Sequence, residues 1–404
     1  MSKPTVLFIS YDGLSDPLGQ SQIIPYLAGL ADEFDISILS CEKPERLSKE
    51  RPHLQSKLAE AGIEWRYTNY HKKPPIFSTF FDLQRLKSLA KIWNRHKMFN
   101  IIHCRSILGY MIGTTLRSPN NRLIFDFRGY WAEERVDGGL WDKTSIVYYQ
   151  LYHFFRKAQH KAYRNADAIV SLTKAAKKDI VADFDVSEEK IVVVPCSADQ
   201  NHFVAKSDLL RSTMELRLEL HIEPSELVIG YVGSLGTRYM LNEMLDCFKV
   251  ILKKEPHAVF LILTVSPLVE LKRLLNEKEI ESKVIVTSSS YKDVPKYMSL
   301  MDIALYFIKP GNSGKAVSPT KQAEFLSMGI PVITNAGIGD SKELIEKDQL
   351  GLVIDEFSEV HYAKVADAIC KLSEFSVKEI VKIAEKKLSL DSGIKTYRAL
   401  YKSI

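Results

Sequence analysis

The chain has 404 residues, 46% hydrophobic and 26% charged, with a net charge of +5. That length predicts two domains of roughly 200 residues each, and the composition excludes the disordered and fibrous classes. The mild positive charge permits anionic partners without pointing to nucleic acid. The five cysteines (Cys41, Cys104, Cys196, Cys247, Cys370) have neither zinc-ligand nor redox spacing, so reduced core thiols are predicted rather than a metal site or disulfide framework.

Short apolar, β-branched runs alternate with helix-length amphipathic stretches from end to end, which predicts an α/β chain with parallel sheets covered by helices. In the first half the strands are predicted at 5–10, 35–40, 63–67, 100–104, 123–127, 167–172 and 190–195. The second half repeats the rhythm at 227–232, 258–264, 283–287, 302–307, 330–334 and 351–354. Residues 196–226 lack a strand pattern and read as the crossover. The domains are therefore placed at 1–205 and 206–389, with a C-terminal helix near 390–404 packing back on the first. Two doubly wound domains facing a central cleft would open the carboxyl ends of both sheets into it, where ligands bind in such folds.

The first apolar run is cut off by Asp12 before a signal-peptide core can form. No stretch reaches the ~18 uncharged apolar residues of a membrane span, so a cytoplasmic chain is expected. Gly19 lies where a turn gives way to a helix containing Ile23, Ile24, Tyr26, Leu27 and Leu30, a place where the backbone could approach an anion. The alternative is a tight turn with no ligand.

From His71 to Lys97, aromatic and aliphatic residues (Phe77, Phe80, Phe81, Leu83, Leu86) interleave with Lys72, Lys73, Arg85, Lys87, Lys91, Arg95 and Lys97. This pattern predicts a basic amphipathic helix, read either as a solvated surface helix or as a peripheral contact with anionic membrane at the inner face of the cell membrane.

At the end of the fifth predicted strand stands Asp126-Phe127-Arg128-Gly129-Tyr130-Trp131, followed by the aromatic loop Glu134–Trp141. Asp126 and Arg128 could form a structural pair, or serve chemistry at the carboxyl end of a central strand. In the second half, Gly233-Ser234-Leu235-Gly236-Thr237-Arg238 follows a strand as a glycine-bearing loop without the Gly-Lys-Ser/Thr ending of a nucleotide-cleaving P-loop. The segment Ser318-Pro319-Thr320-Lys321-Gln322-Ala323-Glu324 predicts a helix capped by Ser318, its free amides available to phosphate. Lys321 and Glu324, three residues apart, share a face and form either an ion pair across one turn or two ends of a site.

With Asp16-Pro17-Leu18-Gly19-Gln20-Ser21-Gln22, Asn165–Ser171, Val193-Val194-Pro195 and Met328-Gly329-Ile330-Pro331-Val332-Ile333, these segments resemble glycosyltransferase family 4 (glycosyl transferases group 1) over nearly the whole chain. The resemblance implies a retaining enzyme of GT-B fold, two Rossmann-like domains about a cleft. It places Glu324 on the nucleotide ribose and the donor diphosphate on amides near Ser318 and Thr320. The family's second glutamate, seven residues earlier, is Ala316 here, and its Gly-Arg-Leu…Lys clamp carries Ser234 and Tyr239, leaving Arg238 and Lys321 as the nearest cations.

The reading assigns Gly19, Gln20, Ser21, Ser234, Gly236, Ser318, Thr320, Lys321 and Glu324 to the donor. It gives Asp126, Arg128, Arg238, Lys321 and Glu324 to catalysis, and Tyr130, Trp131, Glu134 and Asp137 to the acceptor. The implied reaction moves a hexosyl or N-acetylhexosaminyl unit from a nucleoside diphosphate sugar to a glycan or polyprenyl-linked acceptor in surface polysaccharide biosynthesis. It needs no metal or cofactor, the leaving diphosphate itself accepting the proton. A GT-B-fold nucleotide-sugar epimerase and an inert nucleotide-sugar-binding assembly partner are the alternative functions.

Overall fold

The computed structural model describes residues 3–236 and 238–404. It divides into two compact units, 1–195 with 393–404, and 196–392, the division falling ahead of the position near 205 read from the polar crossover.

The first unit holds β1 (Thr5–Ser10), β2 (Asp35–Glu42), β3 (Glu64–Asn69), β4 (Ile101–Arg105), β5 (Arg122–Phe127), β6 (Ala168–Ser171) and β7 (Ile191–Val193). They form one parallel sheet in the order β3-β2-β1-β4-β5-β6-β7. Strands such as Thr5–Ser10 (TVLFIS) are nearly all buried because helices cover both sheet faces, so no polar alternation is needed. The chain order reverses between β1 and β4, and the loops leaving the carboxyl ends of these strands surround the natural ligand position of such a sheet.

The second unit holds β8 (Val228–Val232), β9 (Val259–Leu263), β10 (Val284–Thr287), β11 (Ile303–Leu305), β12 (Val332–Asn335) and β13 (Gly351–Ile354). Their order, β10-β9-β8-β11-β12-β13, repeats the same doubly wound topology with its reversal between β8 and β11. The core joins β8, β9, β11 and β12 to helices through Phe248, Phe260, Phe307 and Phe325. Each strand lies where the apolar runs placed it, shifted by a few residues at its ends. Both units are Rossmann-like, and the architecture is GT-B.

The C-terminal helix Leu390–Ser403 packs most of its length on the first unit. Tyr397 meets Tyr26 edge-on with ring centres 5.6 Å apart, Tyr401 meets Phe34 at 5.2 Å, and Arg398 donates to Asp32 at 3.0 Å and to the Gly29 carbonyl at 2.6 Å. Asp82 is the one acid on the helix Phe77–Lys97, and it is buried. Among the described residues no helix is long and apolar enough to cross a membrane.

Candidate active site

In the second unit the helix Thr320–Ser327 follows Pro319, which occupies the cap position predicted for Ser318. Ser318 stands one residue further out, and its hydroxyl accepts from the Cys196 amide at 3.0 Å instead of capping the helix. Thr320 opens the helix, so its first amides have no intrahelical acceptor and remain suited to an anion.

Lys321 is buried, and its Nζ has no hydrogen-bond partner. The amine lies 4.1 Å from the Tyr231 ring centre, 3.5 Å from that of Tyr239 and 5.9 Å from that of Tyr306. No ion pair joins it to Glu324 among the described residues, so the salt bridge across one turn does not form. Burial drives the Lys321 pKa well below the usual lysine value, although Glu324 pulls it back up. Burial likewise pushes Glu324 up to about 7, opposed by Lys321. A buried amine with no hydrogen-bond partner beside a carboxylate that ionises reluctantly is an arrangement found at ligand sites.

The loop after β8 closes over this amine. Gly233 adopts φ +135°, a conformation that favours glycine, and a Cβ there would lie 2.9 Å from Lys321 Nζ and displace the amine. Ser234 is exposed, and its carbonyl accepts from the Tyr231 hydroxyl at 2.5 Å, while Gly236 is an exposed turn residue. Arg238 reaches the hydroxyl of buried Ser313 at 3.5 Å, beside the same loop, and Tyr239 pairs with Ile308. Thr237 lies outside the described residues. The Lys321 amine thus lies against the rings of Tyr231 and Tyr239, beside the loop that carries Ser234 and Arg238. Ala316 is buried.

In the first unit Asp126, next to last in β5, is buried beside His103 (3.5 Å), Arg105 (3.7 Å) and Arg128 (3.6 Å). Burial alone would raise the Asp126 pKa, but Arg128, His103 and Arg105 outweigh it and hold the carboxylate below its usual range. His103 Nδ1 lies 2.6 Å from the Tyr401 hydroxyl, and burial lowers the histidine pKa. His103, Arg105 and Tyr401 escaped the sequence reading. The register Arg105↔Asp126 on parallel strands, with His103 two residues earlier on the same face, was the available signal for the first two.

The other expected positions are dispersed. Gly19 lies inside the helix Pro17–Gln22, where a Cβ would meet the Gly13 carbonyl at 2.3 Å and Leu14 beyond it. The close approach that Gly19 permits is therefore to its own chain rather than to a ligand. Gln20 and Ser21 are partly exposed, and Ser21 donates to the Pro17 carbonyl at 3.0 Å. Residues 131–137, whose second half was expected as loop, form the helix Trp131–Asp137, because Ala132, Glu133, Glu134 and Arg135 favour helix until Gly138 caps it. Tyr130 is buried against Phe127 and bonds Asp179 at 3.3 Å. Trp131 packs against Phe155 at 4.3 Å, while Glu134 and Asp137 are half-buried.

Residues 25–197 match the family described as "Glycosyl transferase 4-like domain", and residues 226–374 match "Glycosyl transferases group 1". With the fold, these two domains make the chain a GT-B glycosyltransferase, a transferase of sugars. Among solved structures it is similar to a glycosyltransferase from Rickettsia africae (TM-score 0.68, 15% identity, 100% of this chain and 99% of that one). It is also similar to Anabaena HepE in complex with UDP (0.68, 14%, 100% of both chains). A third is WaaG, a glycosyltransferase involved in lipopolysaccharide biosynthesis (0.67, 14%, 98% and 99%). At these identities the likeness speaks to the fold. No curated protein sequence matches the chain.

Proposed function

We propose that the protein is a retaining transferase that moves a hexosyl or N-acetylhexosaminyl unit from a nucleoside diphosphate sugar to a glycan or lipid-linked glycan in surface polysaccharide biosynthesis. The observation that carries the donor assignment is the partnerless Lys321 amine beside Glu324 at the start of the Thr320–Ser327 helix. A diphosphate supplies the missing counter-charge, and Glu324 accepts from ribose hydroxyls. HepE, of the same fold, has been captured with UDP and with UDP-glucose, which supports a nucleotide sugar as donor.

As the bond to the sugar breaks, negative charge grows on the leaving diphosphate. Lys321, Arg238 and the helix amides oppose it without a metal, and the leaving group itself takes the acceptor's proton. Asp126 and Arg128 are assigned to the transferred sugar, as the resemblance implies. Tyr130, Trp131, Glu134 and Asp137 are assigned to the acceptor side. Placement at the inner face of the cell membrane, held by the Phe77–Lys97 helix, belongs to the same reading.

Thermal unfolding with the diphosphates of uridine, guanosine, cytidine, thymidine and adenosine tests the donor site. At least one should raise the melting temperature in a saturable way. No shift with any of them sinks the assignment, and conversion of a nucleotide sugar without an acceptor would favour an epimerase.

A further inference from the structure

The first unit contains a cavity of about 380 Å³, lined among others by Tyr11, Ile76, Leu108, Trp131, Trp141 and Phe155. Its walls are mostly hydrocarbon, and the Trp131 and Trp141 rings meet at 5.5 Å. Two cations, Lys72 and Arg135, also line it. The Arg135 guanidinium lies 3.1 Å from the Trp131 ring centre and donates to the Trp131 carbonyl at 3.0 Å. No carboxylate forms an ion pair with it among the described residues. Burial lowers its pKa to about 10, with Glu134 and Asp12 as the nearest opposing charges.

Asp82, the first acid after Lys72 in the chain, is committed elsewhere. It is fully buried and accepts from the Tyr11 hydroxyl at 3.2 Å and the His71 amide at 2.9 Å. Two of the apolar lining residues, Phe80 and Leu140, are exposed, Leu140 at 66%. Behind them the helix Ile146–Asn165 carries no acidic residue. Tyr70, Ser78, Thr79 and Tyr148 bring hydroxyls to the lining, but Ile76, Leu108, Leu140, Leu151 and the aromatic rings make most of the wall hydrocarbon. An apolar cleft with the guanidinium of Arg135 in its wall and the exposed Lys72 beside it suits a ligand with a hydrocarbon body and an anionic head.

We propose that this cavity binds the lipid phosphate of a polyprenyl-linked acceptor, with Arg135 and Lys72 on the phosphate and the ring-lined wall on the first isoprene units. This rests on the reading of the chain as a glycosyltransferase and names the class of its acceptor. The exposed Phe80 and Leu140 then continue the path of the hydrocarbon chain at the cavity's edge.

Two of the four tryptophans, Trp131 and Trp141, line the cavity, so intrinsic fluorescence of the full chain reports occupancy. Farnesyl phosphate below its micelle concentration should give a saturable change. Farnesol and dihexanoyl phosphatidic acid should bind about tenfold more weakly or worse, a difference of one charged or shape-specific contact. Arg135→Gln should erase the preference for farnesyl phosphate over farnesol, and Leu140→Glu, at an exposed position that folding does not require, should weaken both. The proposal is overturned if wild type shows no saturable change, if phosphatidic acid binds equally well, or if Leu140→Glu binds like wild type. Melting shifts with nucleoside diphosphates on the same samples separate the two readings. Nucleotide binding without farnesyl phosphate binding ends the lipid site alone, whereas failure of every nucleotide ends the donor reading.

Discussion

The amine of Lys321 sits 3.5 Å from the centre of the Tyr239 ring. Burial disfavours its charge, so in the empty protein the amine releases its proton more readily than an ordinary lysine. An arriving diphosphate favours the ammonium. Binding of nucleoside diphosphate at pH 8 should therefore take up protons. Calorimetry in buffers of differing ionisation enthalpy reads this uptake directly, and it should vanish in Lys321→Met.

Loss of either charged group should be costly to catalysis. Glu324→Gln and Lys321→Ala should each lower transfer by about tenfold or more, the equivalent of ~1.4 kcal/mol in the transition state. Because burial raises the Glu324 pKa to about 7, the ribose contact needs the carboxylate and donor affinity should fall as pH drops below that value. In the empty protein the sign reverses for stability. The raised pKa makes Glu324's contribution full below the usual 4.5 and lost as pH rises through about 7. Donor affinity that is flat from pH 6 to 8 would remove Glu324 from the ribose.

Gly233 should tolerate no side chain. Its φ of +135° strains any other residue, and an added methyl would press on Lys321 Nζ at 2.9 Å. Gly233→Ala should weaken nucleoside diphosphate binding by about tenfold, with a folded second unit by circular dichroism. Unchanged affinity would mean that the loop does not set the lysine.

The C-terminal helix should govern acid stability of the first unit. His103 is buried with a lowered pKa, so its contribution is present above the ordinary 6.5 and is lost as pH falls through the lowered value. Tyr401→Phe removes the partner of His103 Nδ1 and should cost about 1–3 kcal/mol, the penalty for a buried polar group left unpaired. Urea unfolding at pH 7 and pH 5 measures both effects.

Membrane attachment through the helix Phe77–Lys97 should depend on salt. Phe77 and Phe81 are exposed on it, with Arg95, His96 and Lys97 in its last turn. Each cation near an anionic surface contributes on the order of 1 kcal/mol, screened within ~10 Å at 0.1 M salt. Vesicles containing anionic lipid should pellet the protein at low salt and release it as salt rises, while neutral vesicles should not. Equal, negligible pelleting with both at low salt would leave this helix simply solvated.

Local periodicity was enough to place the strands, because the central ones, such as β1 and β9, are short apolar runs whose burial on both faces leaves no polar alternation to confuse them. The same logic located Lys321 and Glu324 on one helix and Asp126 at a strand end. It could not tell an ion pair from two separated groups, since that choice depends on the rings of Tyr231 and Tyr239, brought in from another strand and loop. It also placed the cap one residue early at Ser318, whose hydroxyl was drawn off by the Cys196 amide far away in sequence. It read residues 134–137 as loop because their aromatic surroundings masked a short helical run. The meeting of His103 with Tyr401, nearly three hundred residues apart, and the cavity walled by Tyr11, Trp131 and Phe155 were decided by tertiary packing alone. Apolar periodicity says which face of a strand or helix is buried; which distant side chain completes that burial, and which charge is left unanswered inside it, is set only when the elements pack.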